Sequence, residues 1–146
     1  ELVFDQGLGD VFSARIAGNF VNDDILGSME FACKLAGTKL IIVLGHTACG
    51  AIKGACDDAK LGKLTGMLDK IKPAVRAITL PTDASLRNSS NIEFVNAVAA
   101  KNVQLTIDKI LADSEVLAEM QHKGEIKIIG GMYDIQTGVV AFYEEN

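Results

Sequence analysis

Residues 40–44, Leu-Ile-Ile-Val-Leu, form an uninterrupted apolar run that ends directly on Gly45-His46-Thr47-Ala48-Cys49-Gly50. Strands covered on both faces read this way, because neither face needs a polar residue. The run therefore predicts a central strand of a parallel sheet, with a short helix starting within the segment that follows. Residues 11–17 read as another strand, ended by Gly18-Asn19. Asn22 or Asp23 can cap a helix by accepting its free first-turn N–H groups. Ile25, Met29, Ala32 and Leu35 give that helix one apolar stripe, and Gly37 stops it. Leu64, Met67, Leu68, Ile71, Val75 and Ile78 recur at helical spacing, with a kink or boundary expected at Pro73. Residues 82–90 are polar and read as a loop, and Ser90-Asn-Ile-Glu93 fits a capping box. A helical region over residues 92–121 follows, with a break near Asp113-Ser114. Its stripe includes Val95, Val103, Ile107, Ile110, Leu117 and Met120. Residues 126–129 and 139–143 read as strands joined by a turn around Gln136-Thr137-Gly138. The alternation predicts an α/β fold: a three-layer domain with a mostly parallel open sheet.

The length of 146 residues suits one domain, taken as residues 1–146. The net charge of −5 argues against a nucleic-acid scaffold and against an anionic-membrane binder, since both need basic surface. Trp is absent and aromatics are 5%, which leaves few rings to stack on bases. No apolar stretch approaches the roughly 18 residues of a membrane span, so no transmembrane helix is expected. The three cysteines, Cys33, Cys49 and Cys56, are too few and odd in number for a secreted disulfide framework. A reducing, cytoplasmic setting is expected, with any special cysteine acting as metal ligand or nucleophile. The first residue is Glu1 rather than Met, and it opens a run that already reads as structured. The segment is therefore expected to belong to a longer product.

Ligand sites of open α/β sheets lie beyond the carboxyl ends of the strands, where His46 and Cys49 fall. Their His-x-x-Cys spacing brings an imidazole and a thiolate within one turn, and Zn²⁺ takes N and S donors in tetrahedral geometry. A metal or a helix N-terminus would favour the thiolate over the thiol. Gly45 and Gly50 let the backbone approach a ligand closely, and the Gly50 N–H could donate to an anion. Alone the pair is a weak signal; its position after a buried strand sets the metal reading level with a structural one. Two ligands do not complete the site, so a third must come from elsewhere. Cys56 lies about 10 Å from Cys49 along an ideal helix, too far to share one zinc unless the helix bends. Cys33, beside its helix stripe, reads as a small buried residue.

Gly45-His-Thr-Ala-Cys-Gly-Ala-Ile-Lys-Gly54 resembles the zinc-ligand signature of the β-class carbonic anhydrases. Phe4-Asp-Gln-Gly-Leu-Gly-Asp-Val-Phe-Ser-Ala-Arg-Ile-Ala-Gly-Asn19 is similar to that family's preceding segment. Ser28-Met-Glu-Phe-Ala32 resembles its Ser-hydrophobic-Glu-Tyr-Ala helix, and Gly130-Gly-Met-Tyr-Asp-Ile-Gln-Thr-Gly138 its carboxyl-terminal strand pair. The resemblance implies a zinc enzyme that interconverts carbon dioxide and bicarbonate. His46 and Cys49 would be two of its three protein ligands. Gly50 would contact a substrate oxygen, and Phe31 would sit at an apolar pocket. Homodimers or larger homo-oligomers are implied. The family's first ligand lies in a Cys-x-Asp-x-Arg motif that would fall just before Glu1. That motif also carries a catalytic Asp–Arg pair, on a strand between those matching residues 11–17 and 40–44. Two other readings stay open: hydrolysis of a CO₂-like molecule such as carbonyl sulfide or carbon disulfide, and a non-catalytic relative with an incomplete zinc site.

The remaining polar residues invite modest readings. His122 near a helix end suits the helix dipole better than a proton shuttle. Arg15 is expected to pair with Asp10 or Glu30. Asp5 and Gln6 read as local caps more than as the rim of a pocket. Gly7-Leu-Gly9 lacks the third glycine of a dinucleotide loop. Asp57-Asp58 and Glu144-Glu145 read as solvated surface.

Overall fold

Two strands of similar apolar content pair side by side and organise the rest of the chain. In the computed structural model, which describes residues 1–143, β1 (Leu40–His46) runs parallel to β2 (Lys127–Tyr133). Leu40 lies opposite Lys127 and His46 opposite Tyr133. β3 (Val140–Phe142) adds antiparallel to β2, giving the order β1-β2-β3. Helices with this mixed sheet make the expected α/β fold, and the parallel pairing is the longer one. The Glu144-Glu145 pair lies outside the described residues.

Two strand expectations need correction. β1 is an edge strand among the described residues, not a central one. Ile41, Val43 and Gly45 are buried, whereas Leu40 is exposed and Ile42 and Leu44 are half-buried. An apolar run of five does not distinguish the two cases, because the number of neighbours is a property of the sheet. Residues 11–17 form no strand; they are mostly exposed coil. A strand persists by passing its N–H and C=O groups to a neighbour, and no described strand runs beside this segment.

The helices follow their local signals closely. Asn22 Oδ1 accepts from Ile25 N at 3.0 Å and starts α1 (Asp23–Glu30). The helix widens into a π-turn over Phe31–Leu35, and Gly37, at φ +84°, ends it. α2 (Gly50–Cys56) and α3 (Gly62–Asp69) precede α4 (Lys72–Ala77), whose first turn holds Pro73. Pro is tolerated there because that N–H would lack a helical partner anyway. The cap of α5 (Ile92–Asp113) is Asn91, which accepts from Phe94 N at 3.2 Å, one residue after the expected Ser90. Ser90 instead donates to Asn88 Oδ1, because the preceding turn already engages it. Ser114 ends α5 and caps α6 (Glu115–His122), accepting from Leu117 N at 3.1 Å. Its hydroxyl donates to Glu30 Oε1 at 2.6 Å and ties α6 to α1. His122 is exposed in the last turn of α6.

α5 is the hub of the core. Val103, Ile110 and Leu117 are fully buried with Ile41, Val43 and Ile128 of the sheet. Phe94, Val95 and Val98 are buried with Ile52, Leu68 and Ile71 of the middle helices. Glycines let the sheet approach α5: a Cβ on Gly45 would lie 2.8 Å from Val103 Cγ2, and one on Gly130 2.9 Å from Val103 Cγ1. Asn102, buried on α5, donates to Gly18 O at 2.7 Å, and Thr106 Oγ1 to Asn19 O at 3.2 Å. These bonds pin the chain where the exposed amino-terminal segment enters the core.

Arg15 pairs with Glu1 at 3.0 Å rather than with Asp10 or Glu30. Both expected partners are engaged elsewhere, Asp10 by Gly7 N–H and Glu30 by Ser114. Asp5 adopts a left-handed conformation after a short 3₁₀ turn, and Gln6 Nε2 donates to Phe4 O at 2.8 Å, so both act as local caps. The Asp57-Asp58 pair is exposed but not merely solvated. Asp57 Oδ1 accepts from Ser89 N at 2.8 Å. Asp58 pairs with Lys72 and Lys60, which hold its carboxyl down at about 2. No described helix is long and apolar enough to cross a membrane.

Candidate metal centre

β1 ends at His46, and three residues, 47–49, link it to α2. The link between them is held at several points. Thr47 N–H donates to Tyr133 O at 3.0 Å, and Thr47 Oγ1 accepts from Ile135 N at 3.1 Å. Ala48 N–H donates to Asn96 Oδ1 of α5 at 2.9 Å. Cys49 O accepts from Lys53 N at 3.0 Å, the first bond of α2. Ala48 has φ +55°, a conformation that costs an L-residue roughly 1–2 kcal/mol. Such a backbone persists when its surroundings over-determine it, as these bonds do.

The link presents two donors. His46 is exposed at the carboxyl end of β1, with Nδ1 2.9 Å from Thr47 O. A carbonyl oxygen can only accept, so Nδ1 carries the hydrogen. Nε2 is left with its lone pair free for a metal. Cys49 is buried among Ile52, Phe94 and Val95, at the N-cap of α2. Gly50 opens α2 and is exposed; a Cβ there would meet no atom within 4 Å. Among the described residues its N–H has no partner, as is usual for a first-turn amide. A shallow cleft of about 410 Å³ adjoins His46, lined also by Arg15, Leu44, Gly45, Tyr133 and Ile135. Phe31 is not among the lining residues. It is half exposed, with its ring centroid 6.2 Å from that of Phe12.

The other two cysteines lie outside the link. Burial raises the Cys33 thiol above its ordinary value. Cys56 is pushed up to about 11, mainly by burial, with Asp57 adding and Arg87 opposing. No group of three His, Cys, Asp or Glu side chains is arranged to hold a metal among the described residues. His46 Nε2 and the Cys49 sulfur fit zinc as two of its donors, and a catalytic zinc takes three from protein. Sequence reasoning missed Asn96 and underrated Arg15. A polar Asn within the apolar stretch 94–100 of α5 was the available signal for Asn96, since Asn is a poor helix former.

A family model described as carbonic anhydrase matches residues 1–140. Carbonic anhydrase 2 of Mycobacterium tuberculosis is 31% identical over 143 residues, covering 94% of this chain. The chain spans 65% of the length of that relative. The β-carbonic anhydrase structure of Aspergillus fumigatus titled CafA superposes with a TM-score of 0.85 at 26% identity, covering 98% of this chain and 68% of that one. A tetrameric β-carbonic anhydrase of Sordaria macrospora does so with a TM-score of 0.81 at 25% identity, covering 99% and 73%.

Proposed function

The chain belongs to the carbonic anhydrase family, in its β class, and from that premise we propose that it serves zinc-dependent, reversible hydration of carbon dioxide to bicarbonate. The observation that supports this reading is the clamped link that carries His46 and Cys49, three residues apart, just past the buried part of β1. His46 and Cys49 are two of the three protein ligands. Bound there, zinc supplies the Lewis acidity that makes a hydroxide nucleophile available near neutral pH.

The chain's own residues do the rest of the positioning. Thr47 O holds the His46 ring in the tautomer that leaves Nε2 free. Burial of Cys49 keeps water from competing for its sulfur. The Gly50 N–H is free to donate to an oxygen of the substrate, and the missing Cβ leaves room for that approach. Phe31 contributes an apolar surface when the site is assembled. No third His, Cys, Asp or Glu side chain is arranged beside His46 and Cys49 to complete a metal site among the described residues; the family resemblance assigns the third ligand and an Asp–Arg pair to a Cys-x-Asp-x-Arg motif.

Residues 1–146 act as one β-carbonic anhydrase-like domain, and the working unit is a homodimer or larger homo-oligomer. Exposed apolar side chains on the amino-terminal segment and its neighbours, including Leu2, Leu8, Phe12 and Leu35, support association. Zinc analysis with stopped-flow CO₂ hydration tests the reading. Cys49→Ser should strip zinc and activity together, since a neutral hydroxyl poorly replaces a thiolate. Full zinc occupancy in Cys49→Ser would overturn it.

A further inference from the structure

We propose that Asn96 is a positioning residue for the metal pair: its side-chain carbonyl locks Ala48 in the left-handed conformation that sets His46 and Cys49 at their working separation. The inference rests on the reading of His46 and Cys49 as metal ligands. It is carried by three facts together. Ala48 is the central non-glycine residue of the link and has φ +55°. Its N–H is taken by Asn96 Oδ1 at 2.9 Å, from a residue 48 positions away on α5. Thr47, before it, is fixed to the end of β2 through its N–H and to Ile135, just past β2, through its hydroxyl, whereas Cys49, after it, is the N-cap of α2.

The geometry follows from these anchors. His46 moves with the β1–β2 pair, and Cys49 moves with α2 and the cluster around Phe94. Ala48 is the joint between the two bodies, and its φ and ψ decide how far apart the donors sit. Left to itself, an alanine would relax to negative φ, because its Cβ crowds the backbone in the left-handed region. The relaxed joint would point the Ala48 amide elsewhere and turn one donor away from the other. With Cys49 held by α2, that relaxation must rotate the 47–48 peptide, and Asn96 opposes it by holding the Ala48 N–H. The anchor of the Ala48 amide is therefore a side chain of α5, the hub of the core. Phe94 and Val95, its neighbours on α5, are fully buried, so Asn96 is held on a rigid support.

The inference predicts that the damage of removing Asn96 is confined to the metal pair and is repaired at the joint. Glycine adopts positive φ without strain, so Ala48→Gly should restore geometry that no longer depends on Asn96. The test uses Co²⁺ as the probe, read by its thiolate charge-transfer absorption, with global stability measured in parallel by urea unfolding. Asn96→Ala should weaken Co²⁺ binding by about 10- to 100-fold, the usual effect of losing a group that orients a ligand. Asn96→Asp, which keeps an acceptor oxygen, should bind within a few-fold of the parent. The pair Asn96→Ala with Ala48→Gly should recover most of the loss. Asn91→Ala, which removes the α5 cap, should lower stability without moving Co²⁺ affinity. The inference is overturned if Asn96→Ala binds Co²⁺ like the parent while Cys49→Ser loses it. It is also overturned if Asn91→Ala weakens binding as much as Asn96→Ala does, since the role would then be stability alone. Co²⁺ absorption that survives Cys49→Ser would instead overturn the ligand assignment, and the inference with it.

Discussion

Residues 11–17 and residues 40–46 resemble each other in composition and meet opposite fates. Both carry apolar side chains at most positions, and both are extended candidates. The second becomes β1, whose seven residues pair one-to-one with β2. The first stays coil, with Val11, Phe12, Ser13, Ala14 and Arg15 all exposed. The difference lies in neighbours rather than in propensity. β1 has β2 beside it and α5 behind it, so its backbone bonds and its Ile41 and Val43 side chains are satisfied together. Residues 11–17 have no described partner strand; Phe12 meets only the half-exposed Phe31 ring, Ile16 alone packs against the core, and Arg15 pairs with Glu1 at the surface. Strand formation is a cooperative property of a pair. Apolar content makes a segment eligible for it without deciding it.

The most decisive way to break this contrast is to supply the missing neighbour. A polypeptide carrying a Cys-x-Asp-x-Arg segment ahead of Glu1 should hydrate CO₂ orders of magnitude faster than residues 1–146 alone. It should also protect the amides of residues 11–17 from hydrogen exchange. Equal rates and equal exchange in the two would show that the contrast has another cause.

Next in size is the link at the end of β1. Cys49→Ser should remove bound zinc, whereas Cys33→Ser and Cys56→Ser should leave zinc content nearly unchanged, as read by elemental analysis. Zinc loss in Cys56→Ser would mean that α2 bends to bring a second thiolate to the metal.

Packing should separate the core that backs β1 from the exposed amino-terminal segment by several kcal/mol. Ile110→Ala, at a fully buried position, should cost about 2–5 kcal/mol of unfolding free energy. Leu8→Ala, at a position 97% exposed in the single chain, should change it by no more than about 0.5 kcal/mol at protein concentrations low enough to dissociate the assembly. Urea unfolding of both variants at one such concentration measures the difference. A large loss in Leu8→Ala at higher concentration would show that the amino-terminal segment is covered in the working assembly.

The junction between the regions should give an intermediate value. Asn102→Ala leaves Gly18 O without its buried donor and should cost about 1–3 kcal/mol. Arg15→Ala should have the smallest effect, under about 1 kcal/mol and weaker still at high salt, because its pair with Glu1 is exposed. Unfolding curves at low and high salt check both. An Arg15 effect as large as that of Asn102 would erase the distinction between surface and junction.

Much of this was legible from residue order alone. Asn22, Gly37, Pro73 and Ser114 act within a few positions of themselves, through a cap, a positive φ or a missing N–H. Their effects therefore appear where the sequence puts them, at the starts and stops of α1, α4, α5 and α6. The α5 stripe was readable for the same reason, since a 3.6-residue period is a local property. His46 and Cys49 were readable as a donor pair because three residues of chain cannot separate them far. The tertiary structure alone decided the matters that depend on what lies alongside. It made β1 an edge and residues 11–17 coil, because a ladder needs a second strand and no single segment encodes one. It moved the α5 cap from Ser90 to Asn91 because the preceding turn already engaged Ser90. It gave Arg15 to Glu1 because Asp10 and Glu30 were occupied. It brought Asn96 to Ala48 across 48 positions, a meeting that follows from α5 packing against the sheet and that no local pattern announces.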